Sequence, residues 1–411
     1  MMDQPCTVEE HLARVLGGVR PMAPVSQPLL DTLGLACAED VVAAVSLPGF
    51  DNSAMDGYAV RRADVASATA DQPVTLPVAG QIGAGQATLR ELPAGAAAKI
   101  MTGAPIPEGA DAVVPYEWTD RGADVVRISQ APAAGQHVRP QGDDLSAGDL
   151  VVAEGTVLGP RHLGLLASVG RARVLARPRP RVVILSTGSE LREPGDELGH
   201  DSIYDGNSYL LAAAVLRAGA VPHRVGIVTD EAGVFLKTLH QELAGADLVV
   251  TSGGVSQGDF DVVKEALREE GVWFGGVAMQ PGKPQGFGLV GPEGRGVPIV
   301  TLPGNSVSAY ISFEVFVLPA IRTLMGLTPT SRPLVEARLT RAMTSPAGRR
   351  QFMRGEVGTD AGGRYVDPVG GPGSHLIGAL AEANSLIVVP EDATELAEGD
   401  RVQVLVLDGE F

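Results

Sequence analysis

"ADLVVTSGGVSQGDFDVVKEALREEG", residues 246–271, decides how the chain folds. The apolar run Leu248–Val250 ends at Thr251, Ser252 and a glycine pair. A polar loop follows, and then a stretch with helical apolar spacing. A short apolar run bounded by turn signals reads as a strand buried on both faces, and the amphipathic stretch reads as the helix that covers it. The same unit recurs on either side. "RVVILSTG" (181–188), "VPHRVGIV" (221–228) and "PIVTLPGN" (298–305) read as strands. "YDGNSYLLAAAVLRAGA" (204–220), "EAGVFLKTLHQELAG" (231–245) and "SVSAYISFEVFVLPAIRTLMG" (306–326) read as helices, the first with Asn207 or Ser208 near its cap. Strands alternating with helices of ten or more residues predict a doubly wound α/β domain with a parallel sheet, over residues 178–327.

The flanks read differently. "TVEEHLARVLGGV" opens with Thr7 and Glu10 in capping-box spacing and predicts a helix. Residues 47–140 alternate short β-type runs with Gly and Pro, which predicts an inserted, mostly β domain. Residues 141–177, with a helix from about Pro160 to Val169, are expected to join residues 1–46 in a discontinuous N-terminal domain. Residues 328–411 turn β-rich again and predict a small C-terminal barrel-like domain.

Over 411 residues, 45% apolar and 20% charged residues describe a folded, multidomain chain. A net charge of −17 argues against nucleic-acid binding, which needs a basic face, yet leaves room for a local anion site. Cys6 and Cys37 are the only cysteines, so neither a disulfide framework nor a Cys-rich metal site is expected, and a cytoplasmic location fits. The first residues lack the basic and apolar regions of a signal peptide. The longest apolar stretches are broken by Arg217, Glu314 and Arg322, so no membrane span is expected. Lysine occurs only at positions 99, 237, 264 and 283 in an arginine-rich chain, which marks the lysines that remain.

Ligands of open α/β sheets gather at the carboxyl ends of the strands. Four such ends are polar and Gly-rich here: "STGSEL", "TSGGVSQGDFD", "PGKPQGFG" and "LPGNSVS". Ser252, Gly253, Gly254 and Ser256 in the second, and Pro303, Gly304, Asn305 and Ser306 in the fourth, offer close backbone, hydroxyls and a helix N-terminus to an anion. Glu190, Asp205, Asp259 and Asp261 lie among these loops. Acidic groups beside an anion site make sense if Mg²⁺ bridges them, and Asp259 and Asp261 fit helix capping as well. Lys283, in a stiff Pro-Gly-Lys-Pro loop, suits phosphate or a small tetrahedral oxyanion. In the C-terminal region "AGRRQFMRG" and "GPGSHLIG" add Arg349, Arg350, Arg354, Ser374 and His375. No HExxH, CxxC, Walker-type loop or Ser-His-Asp order is present.

Taken in order, "LPGFDNSAMDGYAVR", "KIMTGAPIPEGADAVVPYE", "LSTGSEL", "IYDGNSYLL", "TSGGVSQGDFDVVKEAL", "PGKP" and "TLPGNSVSA" resemble the molybdopterin molybdenumtransferases over nearly the whole chain. This is the bacterial MoeA type, related to the plant Cnx E domain and the E domain of gephyrin. The resemblance implies an elongated homodimer of four-domain subunits that inserts molybdate into adenylylated molybdopterin and releases AMP. Other proteins of molybdenum-cofactor biosynthesis are further candidate partners. It implies that Asp56 and Thr102 reach the site from the partner subunit. It implies that Asp144, Glu190, Asp230, Asp261 and Lys283 act from around the α/β domain. Glu190 and Asp261 would hold metal, and Arg349 or Arg354, with Ser374 and Lys283, would hold molybdate. Within "FDNSAMDGY", Asp51 and Asn52 are expected to satisfy the turn, with Met55 and Tyr58 anchoring it so that Asp56 is held.

There is one departure. Many relatives read Lys-Pro-Gly-Lys-Pro, and here the first position is Gln280, so one positive charge is missing. Two other readings compete. One is an adenylyltransferase acting a step earlier, where the Gly-rich loop tends to read GGTG rather than the Gly253-Gly254-Val255-Ser256 found here. The other is a gephyrin-like scaffold, which this chain's lack of a long Pro/Ser linker disfavours.

Overall fold

Helix α1 (Val8–Gly17) begins with the expected reciprocal cap: the Thr7 hydroxyl accepts from Glu10 N–H and the Glu10 carboxylate accepts from Thr7 N–H, at 3.1 and 2.8 Å. In the computed structural model, residues 5–85, 89–229, 231–253, 262–292 and 296–409 are described. They form two compact units. One comprises Gln27–Leu33 and Glu39–Val174, and the other comprises the remaining segments at both ends of the chain.

The first unit is built on a five-stranded sheet. Its strands are β1 (Gly57–Val60), β2 (Val74–Ile82), β3 (Ala97–Ile100), β4 (Ala112–Pro115) and β5 (Val125–Ile128), in the order β4-β1-β3-β2-β5. Only β2 and β3 run parallel. Alternation on β1 splits the core: Tyr58 and Val60 face Val114 and Val126, while Ala59 faces Ile82 and Ile100. Helix α2 (Pro160–Ser168) starts on proline, whose missing N–H costs nothing in the first turn.

The second unit contains the α/β domain. Its elements are β6 (Arg181–Thr187), α3 (Gly206–Arg217), β7 (Val221–Val228), α4 (Ala232–Leu243), β8 (Leu248–Ser252), α5 (Val262–Glu269), β9 (Trp273–Gly276), β10 (Met279–Gln280), β11 (Pro284–Val290), β12 (Val297–Leu302) and α6 (Ser306–Leu324). The sheet order is β7-β6-β8-β12-β11-β9. One apolar core, with Leu211, Val307 and Ile311, lies on one face, and a second, with Phe235, Leu239 and Leu267, on the other. The sheet is not wholly parallel. β11 runs against both neighbours, so "PGKPQGFG" opens an antiparallel strand rather than closing a parallel one. The reversal brings Lys283 back to the edge where β6, β8 and β12 end, because Gly286 of β11 lies opposite Thr301 of β12.

Expected to pack with residues 141–177, α1 instead buries Val8 and Val15 in the α/β core with Phe287 and Phe316. His11, fully buried, meets the Phe316 ring edge-on at 4.6 Å and the Trp273 ring at a tilt at 5.3 Å, and its Nε2 has no partner among the described residues. Burial, assisted by Arg14, pushes its pKa down to about 3. The folded state therefore excludes a proton that the unfolded chain takes up. His11 costs nothing above its ordinary pKa of about 6.5, and below it removes up to about 1.4 kcal/mol of stability per pH unit. In urea melts followed from about pH 7 to 4, His11→Gln should show a shallower loss of stability than wild type. Parallel curves would dissociate His11 from the acid sensitivity.

After the α/β domain come β13 (Leu334–Leu339), β14 (Arg350–Asp360), β15 (Gly363–Pro368), α7 (Ile377–Glu382), β16 (Ser385–Val389) and β17 (Arg401–Val406). The pairings β14–β15–β13–β17–β16–β14 close a five-stranded barrel, as the β-rich pattern implied. Closure removes the exposed edges that an open sheet of these strands would present. β10 attaches to it: Met279 and Gln280 pair in parallel with Arg350 and Gln351. A second tie is the buried ion pair of Glu314 on α6 with Arg332, at 2.7 Å. Among the described residues α6 is long and apolar enough to cross a membrane, and 83% of it is buried inside the protein.

Candidate functional site

In the first unit the turn before β1 is built as its side chains dictate. Asp51 Oδ1 accepts from Gln141 N–H at 2.7 Å, and the Asn52 amide donates to Phe50 O at 3.2 Å. Tyr58 is fully buried, and its hydroxyl donates to Gly122 O at 2.8 Å. Met55 is not an anchor, since it is 37% exposed. Ser53 does that work locally by donating to Met55 O. Asp56 stands at the exposed edge. Its Oδ1 accepts from Thr102 N–H at 2.7 Å and from the Thr102 hydroxyl at 2.8 Å. These two bonds hold its pKa below the ordinary carboxylate value. Tyr116, at the end of β4, lies beside them, with Lys99 and Arg121 at 5.6 and 5.2 Å from its ring. Asp144 belongs to this unit too, exposed, with its N–H bonded to Leu47 O.

In the second unit the ends of β6, β8 and β12 make one edge. Gly253 has φ +88°, and a Cβ there would stand 2.8 Å from Thr187 O, so only glycine lets β8 turn so close to β6. Gly304 packs on the Gly253 backbone, and Asn207 donates to Gly304 O at 2.6 Å. Ser252 is buried within 3.1 Å of the Ser186 hydroxyl, which also reaches Asp205 Oδ1 at 3.3 Å. Asp205 is the N-cap of α3, receiving Ser208 N–H at 3.0 Å, and Asn207 and Ser208 lie near it in the first turn as expected. Asp205 is also 1% exposed, so of the carboxylates placed among these loops it is a buried one. Its Oδ2 and the Thr187 hydroxyl are buried without a partner among the described residues. Glu190 is exposed, its carboxylate folded back over Gly188.

Asn305 occupies the N-cap position of α6 without capping it; its amide donates instead to Ser374 Oγ at 3.0 Å. Pro303 is buried behind it, Ser306 begins the helix, and Val307 N–H reaches Ser374 O. Arg354, 2% exposed, donates to Gly371 O and to Gly373 O, and so fixes the loop that carries Ser374. Burial lowers its pKa. Arg349 is exposed, and Arg350 is held by Glu9 and Glu391. The Lys283 loop is strapped from below, because Gln285 Nε2 donates to Gly282 O and Ser312 Oγ, both at 2.7 Å. Lys283 is half-buried, its Cε 3.3 Å from where a Cβ of Gly276 would stand. Gln280 is half-buried in its pairing with Gln351.

Asp230, Gly254, Ser256, Asp259 and Asp261 lie outside the described residues. Among those described, no three of His, Cys, Asp and Glu gather where a metal could sit. The oxygen donors at this edge, Glu190, Asp205 Oδ2 and Thr187, are of the hard type that suits Mg²⁺. Sequence reasoning missed Thr187, whose signal was its place at a strand end; Asp205 it had placed among the loop carboxylates.

The comparisons with known proteins cover the chain in three stretches. Residues 6–170 match the MoeA N-terminal region (domain I and II), 183–323 a "probable molybdopterin binding domain", and 336–407 the MoeA C-terminal region (domain IV). Molybdopterin molybdenumtransferase 2 of Mycobacterium tuberculosis is 47% identical over 405 residues, 97% of this chain and 98% of that one. The Haemophilus influenzae molybdopterin molybdenumtransferase is 38% identical over 90% of each chain. The crystal structure of the molybdopterin biosynthesis moea protein from Pyrococcus horikosii superposes with a TM-score of 0.83 at 30% identity, covering 99% of this chain and 100% of that one. Four-domain architecture, barrel and motifs thus agree along the whole length, and the chain belongs to the MoeA family of molybdopterin molybdenumtransferases.

Proposed function

We propose that this protein is a transferase that inserts molybdenum from molybdate into adenylylated molybdopterin and releases AMP. The observation that carries the reading is the single edge shared by the Lys283 loop, the Gly253–Gly304 contact and the Asn305–Ser374 bond. A close backbone, a helix start and a positioned ammonium suit an anionic substrate. Lys283, Ser374 and Arg354, the buried member of the arginine pair, would receive molybdate. Ser252, Gly253, Gly254, Ser256, Asp230 and the 303–306 turn would receive the rest of the substrate. Mg²⁺, when bound, supplies charge neutralisation on the phosphoanhydride, and Glu190 and Asp261 are the residues we assign to hold it. The chain's own groups position the substrate, and Lys283 offsets charge on the oxyanion.

We further propose a homodimer in which Asp56 and Thr102 serve the partner's site, and we assign Asp144 to the surroundings of the α/β domain. The exposed apolar side chains Ile203, Tyr204, Tyr209 and Leu216 support self-association, as do Phe50 and Met55 beside Asp56. The boundaries 47–140, 178–327 and 328–411 are retained as proposed domains, with α1 moved to the α/β side. That Cys6 and Cys37 form no disulfide supports a cytoplasmic site of action.

Purified protein given adenylylated molybdopterin and molybdate should release AMP and yield cofactor that activates a molybdenum-free apoenzyme. Pyrophosphate release from molybdopterin and ATP, without that activation, would instead establish the adenylyltransferase reading.

A further inference from the structure

A cavity of about 580 Å³ opens at the other end of the α/β sheet. Val290, the last residue of β11, lies opposite Val297, the first of β12, in their antiparallel pairing. β6 and β8 begin at that same edge, since both run parallel with β12. It is therefore the reverse of the edge that carries Ser252, Lys283 and Asn305. The seven residues of β11 span the distance between the two edges, roughly 20 Å at ~3.4 Å per residue. Three elements line the cavity. His240 and Leu243 end α4, Glu270 directly follows α5, and Val290, Pro292 and Val297 frame the connection from β11 to β12.

Size and chemistry choose the ligand class. Pockets of about 300–1,000 Å³ hold drug-sized organic molecules, so this one is far too roomy for an inorganic ion. Its apolar walls are backed by the core, because Leu243 and Val297 pack on the cluster of Phe235 and Leu239. An apolar body would displace water from them. The charge is one-sided. Glu270, half-buried, is the one carboxylate in the lining, and no lysine or arginine lines the cavity among the described residues. α4 and α5 both bring their C-terminal ends here, where unpaired carbonyls carry the negative end of the helix dipole. His240 Nε2 stands 3.4 Å from Glu270 Oε1, so an imidazole nitrogen and a carboxylate lie side by side. An anion would meet charge of its own sign with no fixed cation to offset it. A wholly apolar guest would strip water from Glu270 and give it no donor in return. A cation attached to an apolar body meets both requirements.

We propose that this cavity is a second ligand site, one that takes a small organic cation whose ammonium or amidinium is received by Glu270 and whose apolar body lies on Leu243, Val290 and Val297. It is separate from the substrate edge, so both ligands bind at once. The proposal goes beyond the reaction proposed above and does not rest on it.

Titration of the full chain with tryptamine and with benzamidine, followed by ligand-observed NMR, tests this. Both cations should bind saturably. The neutral analogue 3-methylindole should bind about tenfold more weakly than tryptamine, the scale of one charge-assisted hydrogen bond, and indole-3-acetate more weakly still. Glu270→Gln should lower tryptamine affinity about tenfold and erase its advantage over 3-methylindole. Ala244→Trp, which puts a large ring into the cavity from an exposed position in its lining, should abolish binding. Both variants should melt as wild type does, because Ala244 is exposed and the Glu270–His240 pair lies near the surface. Lys283→Ala and saturating molybdate should leave tryptamine binding unchanged. Failure of both cations to saturate, equal affinity in Glu270→Gln and Ala244→Trp, or tighter binding of indole-3-acetate overturns the site. Displacement of tryptamine by molybdate overturns it too, by moving the cation to the substrate edge. If wild type inserts no molybdenum yet binds tryptamine in a Glu270-dependent way, the proposed function fails and the cavity stands.

Discussion

Asp56→Asn is expected to fold normally and to lose molybdenum-insertion turnover by about a hundredfold or more, the scale on which losing one positioned electrostatic group acts. The fold should survive because Asp56 is exposed and contributes no apolar packing; the core of its unit is carried by Tyr58, Val60 and Val114. Both Thr102 donors can still find an amide oxygen at position 56. What disappears is the charge. The two Thr102 bonds lower the pKa of Asp56, so it is ionised throughout the neutral range, and a carboxylate kept charged at an exposed edge is available to a ligand cation or donor. Thr102→Ala makes the companion measurement. It removes the hydroxyl bond and keeps the backbone one, so it should shift the acid limb of the pH–rate profile upward and cost less than Asp56→Asn. A collapsed melting transition in Asp56→Asn would assign the residue to the turn. Turnover within twofold of wild type would remove it from the site.

The parts of the fold that were legible in the sequence were those where periodicity and turn chemistry agreed. Thr7 and Glu10 announced their cap because both halves of the motif lie within four residues. The strands β6, β8 and β12 announced themselves as unbroken apolar runs, since both faces of the sheet are covered. β11 did not, because its glycines look like a loop. They are there for packing: a Cβ at Gly286 would lie 2.3 Å from Thr301 Oγ1, and one at Gly288 would lie 2.8 Å from Val272 Cα. The destination of α1 was hidden for another reason. Its apolar stripe states that a face is buried and says nothing of the partner, and His11 between Phe316 and Trp273 is a tertiary fact. At the site, the residue types were readable and their roles were less so. Asn305 looks like a helix cap and spends its amide on Ser374, sixty-nine residues away in sequence. Asp205 looks like a ligand-facing acid and is the cap. Capping and ligand binding draw on the same short polar side chains, so sequence alone could not separate them.

Lys283→Ala is expected to lower molybdenum insertion by two to three orders of magnitude at low molybdate, about the loss seen when one preorganised donor to developing charge is deleted. Much of the loss should appear as a raised half-saturating molybdate concentration. The loop itself should hold its shape. Its fixed points are Gln285 donating to Gly282 O and Ser312, the pairing of Gln280 with Gln351, and the Lys283 carbonyl accepting from Val277 N–H at 2.7 Å. None of these uses the ammonium, so removing it subtracts a charge and leaves the scaffold. Lys283→Arg should recover only part of the activity. A planar fork at the end of a longer side chain cannot occupy the place of a compact ammonium on a stem already packed over Gly276. The pair of variants separates two roles. If Lys283 only neutralises charge, arginine should restore most of the turnover; if it fixes the oxyanion at one point, arginine should restore binding more than turnover. Retention of wild-type kinetics in Lys283→Ala would move the oxyanion site away from this loop, and with Gln280 already uncharged it would turn attention to Arg354, which bonds Gly373 O beside Ser374.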